Sequence, residues 1–397
     1  MTNLQQLNNI LRIKVELLCN GIIIKEETLN RLEKAGHSFN FGRKGGAGPA
    51  GGRYFRFLNG SIANTQIYID SHPKSSLIIE DIDGNNNVKL NVKKGSNILP
   101  VPLQLISVPN FYSLKSMEKI PYQKIALMHG DRTLATTINQ KCRYWRADQQ
   151  CKFCALEFSL NNGATIERKN GAQIVETIQA ARKEDKEFAE HLTLTIGTTE
   201  TPDKGMADYL EVIKDIRKSY PHIPIHIQIE PMNDISWYSK LHAVGANTIG
   251  IHLEILDPEK REEICPGKNF IPYEKYVEHW KESIEVFGKN QVSSFILTGF
   301  DRFEDKFDFR KKLEEMVKIG VMPLITPARY LTGVEYKIPE TSSQKFYDLV
   351  IYAAKLCDKY GLNPEKNQAG CIRCGGCSPI IDAFKFVVAK KIALNKN

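Results

Sequence analysis

From about residue 134 onward the chain repeats one pattern six times: a short run of branched apolar residues, then a longer helical stretch. Strand-length runs lie near 134–139, 192–197, 223–229, 248–253, 292–298 and 321–326. Between them, apolar positions at helical spacing predict helices over roughly 171–186, 206–219, 235–244, 273–287 and 303–319. Units of this length require parallel strands joined by right-handed crossovers. The expected fold is therefore α/β: a (β/α)6 partial TIM-like barrel with an N-terminal α+β module and a C-terminal cysteine-rich extension. The boundaries read from the sequence are 1–118 for the module, 119–335 for the barrel and 336–397 for the extension.

The strands carry more than fold information. In 225–230 the isoleucines alternate with His226, Gln228 and Glu230. In 248–254 the second face is Thr248, Gly250, His252 and Glu254, and in 192–197 it is Thr193, Thr195 and Gly197. The apolar face must meet the surrounding helices, so the polar face points into the barrel. An ordinary barrel interior is filled with branched aliphatics. A polar interior on three adjacent strands instead predicts a cavity that holds a large ligand.

The first 115 or so residues combine a helical pattern over about 4–34 with short strands at 75–80 and 87–92. Between helix and strands, 42–53 is dense in glycine and carries three basic residues. Its successive amides can cradle an anion, or it is a plain surface loop. It lacks the order of a phosphate-binding P-loop. A last helix is expected over about 342–360.

Nothing in the 397 residues reads as a membrane span or a secretory leader, so a cytoplasmic protein is expected. The net charge of +8 is spread along the chain, with no focused basic stripe for nucleic acid. Six of the nine cysteines fall in two clusters that contain a C-x2-C spacing, which favours metal or redox chemistry over disulfides in such a compartment. Cys19 and Cys357 lie in helical contexts and read as core residues.

The first cluster is Cys142, Cys151 and Cys154, a C-x8-C-x2-C run just after the first barrel strand. Three thiolates on one loop can hold three irons of a cubane cluster and leave the fourth open to a small molecule. Phe153 places an apolar ring beside the sulfurs. The long spacer predicts that 143–150 arches over the cluster as a bulge, not a helix. The second cluster is Cys371, Cys374 and Cys377, a C-x2-C-x2-C run like the start of a bacterial ferredoxin set, but Ile381 stands where the fourth cysteine would fall. Zinc is the alternative occupant for either run.

The first run resembles a modified radical S-adenosylmethionine (SAM) signature, whose usual spacing is C-x3-C-x-aromatic-C. Its second half matches and its first spacer is five residues longer. The resemblance implies a [4Fe-4S] cluster that cleaves SAM to a 5′-deoxyadenosyl radical, which abstracts hydrogen from a small-molecule substrate. It also implies a reducing partner such as flavodoxin or ferredoxin, and no nucleic acid or membrane partner. Within the superfamily, 250–259 and 264–270 resemble the biotin-synthase-like branch, and the whole chain resembles sparsely characterised members, some associated with nitrilase gene clusters.

Site residues follow from the same resemblance. Family members carry Gly-Gly-Glu after the second strand to hold the methionine amino group. Here Gly197, Thr198, Thr199 and Glu200 stand there; the paired glycines are missing, and Thr198 and Thr199 are expected to bind SAM. Glu254, at the end of strand four, is expected at the ribose or methionine end. Arg329 is expected to grip a carboxylate of SAM or substrate. A structural salt bridge is the plainer role for either. Cys265, in the loop after strand four, is a candidate thiol near the site. The second run is expected to hold an auxiliary iron-sulfur cluster facing the mouth of the barrel. Transfer of an aminocarboxypropyl fragment, or metal binding without catalysis, are the competing functions.

Overall fold

The computed structural model describes residues 3–39, 52–93, 99–300, 308–329, 331, 334, 336–338 and 341–395. Most of the glycine-rich loop (40–51) lies outside them. Among the described residues the chain forms two seven-stranded sheets. The first is built from β1 (Ile22–Ile24), β2 (Arg53–Phe57), β3 (Ile62–Thr65), β4 (Ile67–Ile69), β5 (Leu77–Ile82), β6 (Asn87–Val92) and β7 (Leu103–Leu105). Its order is β3-β2-β7-β6-β5-β1-β4.

The second sheet contains β8 (Leu127–His129), β9 (Thr133–Thr137), β10 (His191–Thr195), β11 (Ile225–Ile229), β12 (Thr248–Ile251), β13 (Val292–Thr298) and β14 (Met322–Pro327). These run in order from β14 back to β8. β9 to β14 are all parallel, and β8 is an antiparallel edge strand on β9. The sheet curls but does not pair β14 with β8, so it is a partial barrel, as the six repeats predict.

Helices Gly171–Glu184, Met206–Ser219, Trp237–Ala243, Tyr273–Phe287 and Phe309–Ile319 make the crossovers. Their starts follow local chemistry. Asn170 and Gln173 form a reciprocal capping box, and the Asp308 carboxylate accepts the Lys311 amide of the last crossover helix. Ile225, Ile227, Ile249 and Ile251 are fully buried against these helices. That leaves the polar alternates facing inward.

The N-terminal helical pattern is not one helix. It breaks at Gly21 into Asn3–Asn20, strand β1 and Glu26–Lys34. Gly21 has φ 66°, and a Cβ there would lie 2.5 Å from the Gln66 carbonyl oxygen, so only glycine lets β1 enter the sheet. Helix Asn3–Asn20 serves two cores. Leu11, Val15 and Leu18 pack with the barrel, while Ile10, Ile13 and Leu17 pack with the first sheet. Two apolar stripes at helical spacing make it a shared wall.

A second difference concerns the C-terminus. The helix expected over about 342–360 is not the last: Pro379 is the N-cap of another, Ile380–Leu394. Proline suits a helix start, where its missing N–H costs nothing. This helix packs against Asn3–Asn20 and Ser343–Lys359. A buried ion pair pins it: Lys14 Nζ donates to Asp382 Oδ2 at 2.6 Å and to Ser61 Oγ at 3.0 Å. Among the described residues no helix is long and apolar enough to cross a membrane.

Candidate active site

The first cysteine run sits where β9 ends. Cys142 directly precedes a single helical turn, Arg143–Arg146, so the expected helix-free bulge is corrected. The turn forms because the Arg143 amide is taken by the Thr198 carbonyl, 2.8 Å away, which starts the chain in a helical direction. Beyond it the loop is tied down from two sides. The Cys142 amide donates to Glu157 Oε1 at 2.9 Å, and the Lys152 amide donates to the Ile264 carbonyl at 2.8 Å. Gly197 brings β10 into van der Waals range of this loop. A Cβ there would stand 2.2 Å from the Lys141 carbonyl oxygen. Gly197→Ala is therefore expected to push the cysteine loop outward and cost about 1–3 kcal/mol, read as a lowered midpoint in denaturant. An unchanged midpoint would show the loop to be pliable.

Cys142, Cys151 and Cys154 all line one cavity of about 400 Å³ inside the barrel. Cys371 and Cys377 line the same cavity. The donor set of three soft thiolates on one loop fits an iron-sulfur group, and the cavity beside it, mostly apolar in its walls but carrying a few buried polar groups, fits a ligand of mixed character. Buried polar atoms without a partner point the same way: Thr193 Oγ1, Glu230 Oε2, His252 Nε2, Glu254 Oε2 and two nitrogens of Arg329. Unpaired groups of this kind cost stability unless something meets them. All belong to the inward faces or strand ends read from the sequence, together with Thr195 and Gln228. Among the described residues no three His, Cys, Asp or Glu side chains gather tightly enough to hold a single metal ion.

Two buried carboxylates carry their own lysines. Lys268 Nζ donates to Glu254 Oε1 at 2.6 Å, and Lys204 Nζ lies 2.8 Å from Glu230 Oε1. The Tyr144 hydroxyl donates to the same Glu230 oxygen at 3.0 Å. Burial raises the Glu254 carboxyl above its usual range, and the Lys268 ammonium works against that shift. We take this pair as ionised, since burial opposes the lysine's charge but Glu254, together with Cys151, Tyr276 and Glu230 around it, more than offsets that. Glu254 is also strained. It has φ 64°, a left-handed backbone that a glutamate rarely takes. Backbone bonds on both sides hold it there, from its amide to the Phe295 carbonyl and from the Leu297 amide to its own carbonyl. Such strain clusters at ligand sites.

The other expected residues divide. Thr198 lines the cavity. Thr199 does not; with Glu200 it lines a separate outer cleft of about 270 Å³, where Thr199 Oγ1 bonds Thr201 Oγ1 and Glu200 pairs with Arg146. Arg329 lines the cavity and spends one nitrogen on Asn64 Oδ1, 3.2 Å away. Cys265 is fully buried beside Cys151. Its hydrogen bond, then burial, raise the Cys151 thiol well above the usual range. Cys357 is a core residue, as expected, and Cys19 is half-buried against the same core. Lys204, Lys268 and Tyr144 escaped sequence reading. Lys268 follows Cys265 by three residues in a loop already singled out, but the charge pairing needed the fold.

The second run does not approach from the mouth of the barrel. A crossover helix runs antiparallel to its strand, so Ser343–Lys359 returns the chain to the amino ends of the strands. The tail then binds the starts of several. Thr248 Oγ1 donates to the Ala369 carbonyl, the Gly370 amide donates to His191 Nδ1, and Gln291 Nε2 donates to the Lys366 carbonyl. From that floor the cysteines rise into the interior. Gln228 Nε2 donates to Cys371 Sγ at 3.4 Å, and Cys374 Sγ reaches the His129 carbonyl at 3.8 Å. The N-terminal sheet closes the side, with the Asn64 amide donating to the Gly376 carbonyl at 2.7 Å. Burial raises the Cys377 thiol, while Arg329 and Lys14 pull it back down.

Residues 146–309 match the family model described as the Radical SAM superfamily. That segment is similar to radical SAM domains, a superfamily that implies a [4Fe-4S] cluster and SAM. The match begins after Cys142, so the lengthened spacer lies at its edge. Over 179 residues the chain is 27% identical to a bacteriochlorophyllide c C-7(1)-hydroxylase of Chlorobaculum limnaeum, covering 42% of this chain and 43% of that protein. Over 178 residues it is 28% identical to a 5-amino-6-(D-ribitylamino)uracil–L-tyrosine 4-hydroxyphenyl transferase of Methanosarcina barkeri, with the same shares. The chain thus spans less than half the length of the curated relatives it matches. A structure of HydG, a maturase of the [FeFe]-hydrogenase, aligns with TM-score 0.44 and 16% identity over 60% of this chain and 52% of that one.

Proposed function

We propose that this chain is a radical SAM enzyme acting on a small molecule held between two iron-sulfur clusters. Cys142, Cys151 and Cys154 hold the SAM-cleaving [4Fe-4S] cluster, and Cys371, Cys374 and Cys377 hold an auxiliary one. The observation that carries this reading is a single cavity lined by members of both cysteine runs. When bound, the first cluster and SAM supply a one-electron cleavage of a carbon-sulfur bond. The protein's part is to position, to exclude water and to meet charge.

Thr198 offers a hydroxyl at the end of β10, and Glu254 offers a free carboxylate oxygen to the ribose or ammonium of SAM. Lys268 keeps that carboxylate ionised and oriented. The segments on which the biotin-synthase-like resemblance rests, 250–259 and 264–270, supply both Glu254 and Lys268, which supports placing the SAM site there. Exposed Arg143, Arg146 and Lys152 around the first cysteine run suit an acidic electron donor such as a flavodoxin or ferredoxin.

Glu254→Gln is expected to weaken SAM binding by about ten- to a hundredfold, because a hydrogen bond to a charged group is worth roughly 1.5–3 kcal/mol. Iron content should not change. Equilibrium dialysis under anaerobic conditions measures the first and ferrozine titration the second. Wild-type affinity would move the SAM site away from β12. Aminocarboxypropyl transfer is separated from hydrogen abstraction by the nucleoside released: 5′-methylthioadenosine for the former, 5′-deoxyadenosine for the latter. The proposal expects 5′-deoxyadenosine.

A further inference from the structure

The cavity has chemical polarity. Free acceptors, Glu230 Oε2 and Glu254 Oε2, stand beside their own lysines, and Lys268 also bears on Cys151 of the first cysteine run. Free donors are of another kind. His252 Nδ1 accepts the Phe295 amide at 3.2 Å, so the ring proton is on Nε2. Burial holds this imidazole far below its usual pKa, so it is neutral. Its Nε2–H is buried in the cavity with no partner.

Arg329 is the second donor. Its Nε and Nη2 are buried and unpartnered, and among the described residues no carboxylate pairs with it. Glu230 and Glu254 are committed to Lys204 and Lys268, so neither neutralises the guanidinium. Its remaining nitrogen is fixed by Asn64 of the N-terminal sheet, and its charge bears on Cys377 of the tail. A guanidinium with Nε and one Nη free presents the fork that matches a carboxylate. Phe295, Leu297 and Leu331 supply apolar wall in the same cavity.

We propose, building on the function above, that the substrate is a small carboxylate with an apolar body and a second oxygen acceptor. Its carboxylate docks on Arg329 Nε and Nη2, and the second oxygen accepts from His252 Nε2–H. Arg329 is thereby a substrate residue and not a SAM residue, and the N-terminal sheet takes part in substrate binding by holding it.

The probe pair is 4-methyl-2-oxopentanoate and its uncharged amide, titrated calorimetrically into the full chain with clusters reconstituted and SAM bound. Iron content and SAM affinity of the wild type are measured first, so a failure of the radical SAM reading is seen separately, before any probe is added. The keto acid should bind at least about tenfold more tightly than the amide, the worth of one charge-assisted contact. Arg329→Gln should bring the acid down to the level of the amide, and Arg329→Lys should restore part of the difference. His252→Phe should weaken both probes. SAM affinity and iron content should hold in every variant. Equal binding of acid and amide, or binding of neither at millimolar concentration, would overturn the proposal. So would loss of SAM affinity in Arg329→Gln, which would return the arginine to SAM. Loss of the tail's iron would make it a counter-charge for that cluster.

Discussion

Replacing Cys142, Cys151 and Cys154 by alanine is expected to remove about four irons per chain and all cleavage of SAM. The expectation rests on the donor set and its mounting. The loop is anchored through the Cys142 and Lys152 amides and abuts Gly197, so the three sulfurs are presented from a fixed frame. The thiols are partly exposed at the cavity wall, and the substitution removes no large core side chain. The variant should therefore fold, and a circular dichroism spectrum like that of the wild type will separate loss of cluster from loss of structure. Anaerobic iron analysis and nucleoside release are the two readouts. Unchanged iron together with unchanged 5′-deoxyadenosine would sink the functional reading as a whole.

The triple alanine variant of Cys371, Cys374 and Cys377 should lose a comparable amount of iron, about four per chain, yet retain slow, uncoupled cleavage of SAM at the first cluster. The tail enters from the floor, while the first run sits on the loops at the opposite end. Its anchors do not depend on the sulfurs: the bonds from Thr248, Gln291 and Asn64 are to backbone groups of the tail. Lys14, buried by the helix that follows, remains paired with Asp382. Stoichiometric zinc with only one cluster in anaerobic wild-type protein would instead make the tail a structural clip. Loss of SAM cleavage along with the tail's iron would mean that the two sites work as one unit.

Much of this was legible in the chain before any coordinates. The six strand-helix repeats are local patterns, and the observed strands depart from their expected bounds only at the ends. The inward polar face on β10, β11 and β12 follows from a period of two that no tertiary contact can shift without turning every side chain over. The same alternation puts His252 and Glu254 on that face, although β12 ends at Ile251 and a left-handed backbone at Glu254 is what brings it to the cavity. Where the reading failed, a longer-range force was at work. The break at Gly21 depends on the Gln66 carbonyl, which approaches from another strand. The helical turn after Cys142 depends on a carbonyl of Thr198, beyond an intervening crossover.

The sequence by itself determined the kind of sheet, the face of it that meets ligand, and the two sets of three thiols, because each is written in spacings of two to ten residues. The tertiary structure alone decided how those parts meet. The tail comes up through the floor because a crossover helix must run back along its strand. Lys204 and Lys268 find Glu230 and Glu254, and Asn64 steadies Arg329, because packing joins loops that the chain holds far apart. Side-chain charge has no periodicity from which such pairings can be read. They arise when burial makes an unpaired charge too costly to leave alone.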